Sequence, residues 1–306
     1  MPPRPSNGSG QPRFKWRFAL AALAVVALAC VAFFLANRAP APEPAPAAPA
    51  ETPKPAFTRA VIGTSVEGRA IESFTYGDGA TRLLFVGGVH GGYEWNSVVL
   101  AYQVMDYLAA NPTALPANLS VTIVPDANPD GVFKIVGKEG RFAAADVPAI
   151  ADQSPGRFNA HAVDLNRNFA CKWQPESTWR SKTVSAGTVA FSEPEAAAIR
   201  DLVASIKPAA AVFWHSQSNA VYASECEAGI LPETREIMSA YAAASGYPAV
   251  DTFDAYAVTG DADGWLASIG IPAVTVELSS HEAIEFDRNL LGVKALLARY
   301  GETSVR

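Results

Sequence analysis

The chain has 306 residues, 49% of them hydrophobic and 18% charged, which excludes a wholly disordered polymer. Residues 1–38 hold Arg4, Arg13, Lys15, Arg17 and Arg38 and no acid, a net of +5; the other 19 basic and 30 acidic residues leave the rest of the chain at −11. An acidic body argues against nucleic acid as the partner, because backbone phosphates need a basic face.

In chain order, residues 1–17 form a basic segment expected on the cytoplasmic side. Phe18 to Ala36 is an uninterrupted apolar run, which as a helix rising about 1.5 Å per residue nearly spans a bilayer core. With Arg13, Lys15 and Arg17 before it, the positive-inside rule puts everything after Arg38 outside the cytoplasm. The segment 18–36 therefore reads as a transmembrane anchor. The alternative is a cleaved signal segment, which would make the protein secreted. Residues 37–56 are dominated by Pro and Ala and read as a semi-rigid extended linker. One domain is expected from 57 to 306. It holds two cysteines, Cys171 and Cys226, which an oxidising compartment would permit to pair; two unrelated buried thiols are the other reading.

Within the domain, Leu83–Val89, Val121–Val124, Ala210–Trp214 and Ala273–Val276 are short apolar runs of the kind that form buried strands. Between them lie helical patterns: Glu94–Ala110, a helix opened by a Ser192…Glu195 capping box and running to Ile206, Leu231–Ala244 and Phe286–Tyr300. This alternation predicts an α/β domain with a mixed, mostly parallel central sheet flanked by helices. Sites in such sheets gather beyond the carboxyl ends of the strands. Val132–Ala162 has weak periodicity and reads as an unusually long connection.

Only four histidines occur, and two stand where strand runs end. His90 closes LLFVGGV, His215 closes AVFW, and Glu94 follows His90 by four residues. Two imidazoles and a carboxylate are a usual ligand set for one catalytic zinc ion. Glu277, ending the apolar run AVTV, is placed to act as general base. Arg157, Asn166 and Arg167 cluster in RFNAHAVDLNRNF; one guanidinium can grip a carboxylate and another can stabilise an oxyanion.

Taken in order, HGGYE, NPDG (128–131), VDLNRNF, FSEPE, WHS and TVEL resemble the zinc carboxypeptidase family of carboxypeptidase A-like metallopeptidases. IGTSVEGRAI (62–71) is similar to that family's opening segment. The resemblance implies an α/β sheet of about eight strands, with His90, Glu94 and His215 on zinc and Glu277 as general base and acid. It also implies that Arg157 polarises the carbonyl, that Asn166 and Arg167 hold the substrate's terminal carboxylate, and that Tyr256 closes over it. Asp263, with Asp261 nearby, falls where an acid accompanies basic C-terminal residues; an acid-rich helix start is the plainer reading. Where the family has two residues between the first His and the Glu, this sequence has Gly91, Gly92 and Tyr93. A Gly-Gly pair can absorb the extra residue in a bulged turn.

The expected function is thus a membrane-tethered, extracytoplasmic zinc metallocarboxypeptidase acting on peptides, including those ending in basic or diaminopimelate-type residues, as in the bacterial murein-peptide-cleaving branch. The same residues would serve a murein peptide amidase or an N-acyl amino acid deacylase. From another class, an inactive tethered peptide-binding module remains an alternative. His161 and His281 carry no assigned role.

Overall fold

The structure, a computed structural model, describes residues 15–37 and 56–302. The chain divides into two compact units, residues 1–53 and 54–306. Of the first unit the structure describes helix α1 (Lys15–Ala36), with its side chains from residue 24 onward. Most of the expected basic segment and of the Pro/Ala linker lies outside the described residues. Among the described residues no helix is long and apolar enough to cross a membrane, so the span expected over 18–36 is not shown.

The second unit is built on one eight-stranded sheet. Its strands are β1 (Thr58–Thr64), β2 (Ala70–Tyr76), β3 (Thr81–Val86), β4 (Leu119–Val124), β7 (Ala210–Ser216), β8 (Ala220–Ala223), β9 (Ala249–Val250) and β10 (Ala273–Leu278), and they lie in the order β1-β2-β4-β3-β7-β10-β8-β9. The central run β4-β3-β7-β10 is parallel throughout, and β8–β9 is parallel as well; β1–β2, β2–β4 and β10–β8 are antiparallel. Strands β5 (Glu176–Trp179) and β6 (Lys182–Ser185) form a separate hairpin that the sequence patterns do not announce.

The apolar runs are continuous because both faces of the sheet are covered. Along β3 the side chains alternate. Leu83 and Phe85 enter the core shared with α2 (Trp95–Ala110), α5 (Pro232–Ser245) and α7 (Phe286–Glu302). Leu84 and Val86 enter the opposite core, with α4 (Pro194–Ile206) and α6 (Ala262–Ser268). Fully burying each such side chain is worth about 1.5–3 kcal/mol, so the two cores together hold the sheet between its helices.

Three boundary expectations are corrected. Ser192 is not the N-cap of α4: Pro194 opens the helix, Glu193 stands at the cap, and the Ser192 hydroxyl donates to the Glu193 carboxylate instead. The helix after His90 begins at Trp95, because Gly91–Glu94 first makes a 3-10 turn. The segment expected to be a long loop from Val132 lies partly in α3 (Pro129–Val136), which is capped by Asn128 accepting from the Gly131 N–H at 3.0 Å and stopped by Gly137 at φ +71°. A Pro at the first position and a Gly past the last carry that helix; eight residues were too few for periodicity to show. Cys171 and Cys226 are bonded to each other across 55 residues.

Candidate active site

Adjacent parallel strands β3, β7 and β10 deliver the main groups to one edge of the sheet. His90 follows β3, His215 lies near the end of β7, and Glu277 is its register partner on β10. The turn between His90 and Glu94 is where the extra residue is absorbed. Gly91 adopts φ +49°, and a Cβ there would lie 2.6 Å from the Gly156 carbonyl oxygen. A Cβ on Gly131 would lie 2.4 Å from that same oxygen, and one on Gly156 would lie 2.3 Å from Ile135 Cγ1. Three glycines thus let the segment bearing Glu94, helix α3 and the segment bearing Arg157 meet backbone to backbone.

The result is a buried triad. His90 Nδ1 lies 2.8 Å from Glu94 Oε1, His215 Nδ1 lies 2.9 Å from Glu94 Oε2, and the two Nδ1 atoms are 3.1 Å apart. Ligand atoms at about 2.0–2.2 Å from one tetrahedral ion are about 3.3–3.6 Å from each other, so only a small outward relaxation separates this arrangement from a zinc shell. Behind the triad, His90 Nε2 faces Asp164 Oδ1 at 3.4 Å, longer than a directed hydrogen bond but at ion-pair distance. A carboxylate behind a ligating imidazole fixes which nitrogen carries the proton. His215 Nε2 is buried without a partner among the described residues. Burial works against the Glu94 charge, yet the flanking His90 and His215 hold its pKa well below the usual carboxylate range. The donor set therefore fits one zinc ion.

Glu277 faces the cavity and accepts from the Ser218 N–H at 3.2 Å. Burial, then the nearby Glu94 charge, push its pKa up to about 7, where a carboxylate can exchange protons at neutral pH. Arg157 is buried and anchored by Asp164, Nε to Oδ2 at 2.8 Å, with Nη1 3.7 Å from Glu94 Oε1. Arg167 is held by backbone oxygens, Nη1 donating to Asn166 O at 2.6 Å and Nη2 to Thr178 O at 3.0 Å. Asn166 Oδ1 accepts from the Ala262 N–H at 2.9 Å, which ties this pair to the start of α6.

At that helix start Asp261 and Asp263 divide the work. Asp261 is the N-cap, accepting from the Gly264 N–H at 2.8 Å. Asp263 is nearly buried, and burial followed by the charge of Asp261 pushes it up to about 8. The triad, Glu277, Arg157, Asn166, Arg167 and the two aspartates line one cavity of about 660 Å³. Tyr256 borders it, packed edge-on to Phe253 at 4.9 Å between ring centroids and against the Tyr93–Trp179 cluster.

Several neighbours of the site were not legible in the sequence. Tyr93 meets Trp179 at 5.3 Å and His281 at 4.3 Å between centroids. His281 Nδ1 lies 2.7 Å from Ser216 Oγ, which also donates to Asn96 Oδ1 at 3.2 Å. Asn96 spends both amide hydrogens on Ser280 O and Ala283 O, so its oxygen must accept. The Ser216 proton then points to Asn96, and His281 carries its proton on Nδ1. Asp164 was visible only as part of VDLNRNF; its place behind both His90 and Arg157 comes from the fold.

Two imidazoles and a carboxylate at the carboxyl edge of an α/β sheet, with a basic carboxylate and two arginines beside them, define a zinc hydrolase site. Residues 49–289 match the zinc carboxypeptidase family, and the chain belongs to it. It is 27% identical over 251 residues to gamma-D-glutamyl-L-diamino acid endopeptidase 1 of Lysinibacillus sphaericus, covering 75% of this chain and 62% of that protein; it spans less than two thirds of that relative's length. Among solved structures it resembles carboxypeptidase A from Helicoverpa armigera, with a TM-score of 0.62, 21% identity, and coverage of 82% of this chain and 70% of that one. It also resembles the murein-tripeptide amidase MpaA from Escherichia coli O157, with a TM-score of 0.55, 23% identity, and coverage of 78% and 91%.

Proposed function

We propose that this peptidase hydrolyses the amide bond preceding a C-terminal residue that carries a cationic side chain, such as lysine, arginine or a diamino acid of murein. The observation that carries the reading is Asp263, a nearly buried carboxyl lining the same cavity as Arg167 and the triad. Alone it is held largely protonated near neutral pH; a substrate ammonium would restore its charge and gain a desolvated ion pair. The diamino-acid specificity in the name of the Lysinibacillus relative agrees with this choice of leaving residue.

His90, Glu94 and His215 would hold the zinc ion, which when bound supplies Lewis acidity toward the scissile carbonyl and toward water. Arg167 and Asn166 bind the terminal carboxylate and set the register of the peptide. Arg157, kept in place by Asp164, donates to the carbonyl oxygen as negative charge grows there. Glu277 takes a proton from the attacking water and returns it to the departing amine. Tyr256 covers the bound residue and excludes solvent. A murein amidase uses the same groups on a substrate with the same diamino-acid end, and the resemblance to MpaA favours keeping that reading beside the first.

The domain would work outside the cytoplasm behind an anchor at 18–36. Its disulfide supports an oxidising compartment. The test is the purified full chain, assayed for zinc and for release of lysine, arginine or diaminopimelate from peptides, with murein tripeptide and N-acyl amino acids in parallel. Release of a basic C-terminal residue with about one zinc per chain is expected. Peptide binding with neither zinc nor turnover would instead make the chain an inactive binding module.

A further inference from the structure

The small hairpin β5–β6 reaches both arginines of the site and the carboxylate that anchors one of them. Three consecutive residues of β5 do most of this. Ser177 Oγ lies 2.9 Å from Thr259 Oγ1, on the segment leading to Asp261. The Thr178 carbonyl accepts from Arg167 twice, Nε at 3.2 Å and Nη2 at 3.0 Å. Trp179 then meets Arg157, whose guanidinium carbon lies 4.7 Å from the ring centroid. From β6, the Ser185 carbonyl accepts from the Asp164 N–H at 3.0 Å, and Asp164 is the anchor of Arg157.

Of these contacts, the one at Trp179 controls an orientation rather than a position. Arg157 donates through Nε to one Asp164 oxygen, which leaves the guanidinium plane free to swing about that contact. A ring against the guanidinium removes this freedom, because a cation is attracted to the π surface within about 6 Å of its centroid. The ring itself is held. Tyr93 and Phe158 meet it edge-on, at 5.3 and 6.0 Å between centroids and 80° and 79° between planes, a favoured arrangement of aromatic pairs. Arg180 and Lys182 also lie 5.5 Å from the centroid, but both are exposed to water. Arg157 and Trp179 are only 3% and 5% exposed, and desolvation makes theirs the strong contact.

We propose that Trp179 is a positioning residue, which sets the plane of the Arg157 guanidinium so that its Nη hydrogens meet the carbonyl oxygen as charge grows there. The proposal rests on the reading of Arg157 given above. With the plane turned, the loss falls on the chemical step, since that interaction is strongest in the transition state. Arg167, held by the Thr178 and Asn166 carbonyls, keeps its grip on the terminal carboxylate.

The test is steady-state kinetics of the full chain on peptides ending in lysine or arginine, with zinc content measured beside it. Trp179→Leu removes the ring, and Trp179→Met does so with a more adaptable side chain. Either should lower kcat about tenfold and change KM less than about twofold, with about one zinc per chain retained. Trp179→Phe restores a ring with a weaker face and should bring kcat to within about threefold of the native value. Arg157→Lys keeps the charge beside Asp164 but offers no plane to orient. In that background each Trp179 substitution should cost less than about twofold. If neither ring-free variant folds, the step made by Trp179→Phe should still vanish in the Arg157→Lys chain. Ring loss that leaves kcat unchanged, costs as much in both backgrounds or moves KM as much as kcat overturns the inference, and so does a loss that Trp179→Phe does not repair. The peptidase reading stands in each of those cases. A native chain that cleaves none of the peptides, or an Arg157→Lys chain as fast as the native one, overturns the reading of the site and the inference with it.

Discussion

Glu277 and His215 are direct register partners across the parallel β10–β7 pair. The proposed general base and one imidazole of the triad are therefore fixed to each other by sheet hydrogen bonds rather than by side-chain packing. Glu277→Gln keeps the shape and the Ser218 contact but removes the proton exchange, so kcat should fall by about 10²–10⁴ with zinc content unchanged. Because a base works ionised, native activity should rise with pH through the Glu277 titration, and bound zinc, being cationic, should move that limb below about 7. Loss of zinc in Glu277→Gln, measured by elemental analysis, would count against the assigned role.

The glycine junction predicts a remote effect on metal binding. Gly131→Ala places a Cβ 2.4 Å from the Gly156 carbonyl oxygen, where backbone must move. Overpacking of this kind costs about 1–3 kcal/mol. The displaced segments carry Arg157 and the turn before Glu94, so zinc affinity should fall along with thermal stability. An unchanged melting temperature and zinc affinity would show that the segments can separate freely.

Asp126 predicts an unusual pH dependence of stability. It is buried beneath the His90 turn, and burial pushes it up to about 8 from an ordinary value of 3.8. The folded state then keeps a proton that the unfolded chain releases, so stability is full at low pH and declines as pH rises between those values. Asp126→Asn still accepts from the Asn128 N–H, which meets Oδ1 at 3.1 Å, and it avoids the ionisation. The variant should gain about 1–2 kcal/mol over the native protein at pH 8 and little at pH 4. A gain independent of pH in urea unfolding would contradict this account.

The disulfide closes a loop of 55 residues, for which chain entropy predicts about 4 kcal/mol of stabilisation as an upper figure. Gly260 donates to the Cys171 carbonyl at 2.7 Å, so the same bond steadies the approach to Asp261 and Asp263. Replacing both cysteines by alanine should lower the melting temperature and raise KM for basic substrates more than it lowers kcat. Equal KM values would confine the bond to a stabilising role.

The parts of this protein legible in the sequence are those where chemistry forces rare residues into a pattern. His215 and Glu277 stand near strand ends and His90 just beyond one, because a polar group there can face a cavity while its strand stays buried; Glu94 follows in the turn before α2. Their order along the chain carried the family resemblance. Legibility ended where meaning depends on a neighbour distant in sequence. Gly131 and Gly156 look like ordinary loop glycines until α3 and the Arg157 segment are brought together. Trp179 reads as one more aromatic until the hairpin folds over Tyr93. Ser192 had the composition of a cap, but Asn168 Nδ2 claims its hydroxyl at 3.0 Å and Glu193 accepts its proton, which shifts the helix start by one residue.

The strand order has a temporal meaning. The metal-facing triad is complete once residue 215 has been made, but Glu277 arrives with β10, which must insert between β7 and β8 in the middle of the sheet. A growing or truncated chain that stops before this strand lacks both its proton-transfer group and the keystone of its sheet. The proposed hydrolysis therefore needs β10 in place, so a chain lacking this strand should hold the metal-ligand residues without turning over a peptide.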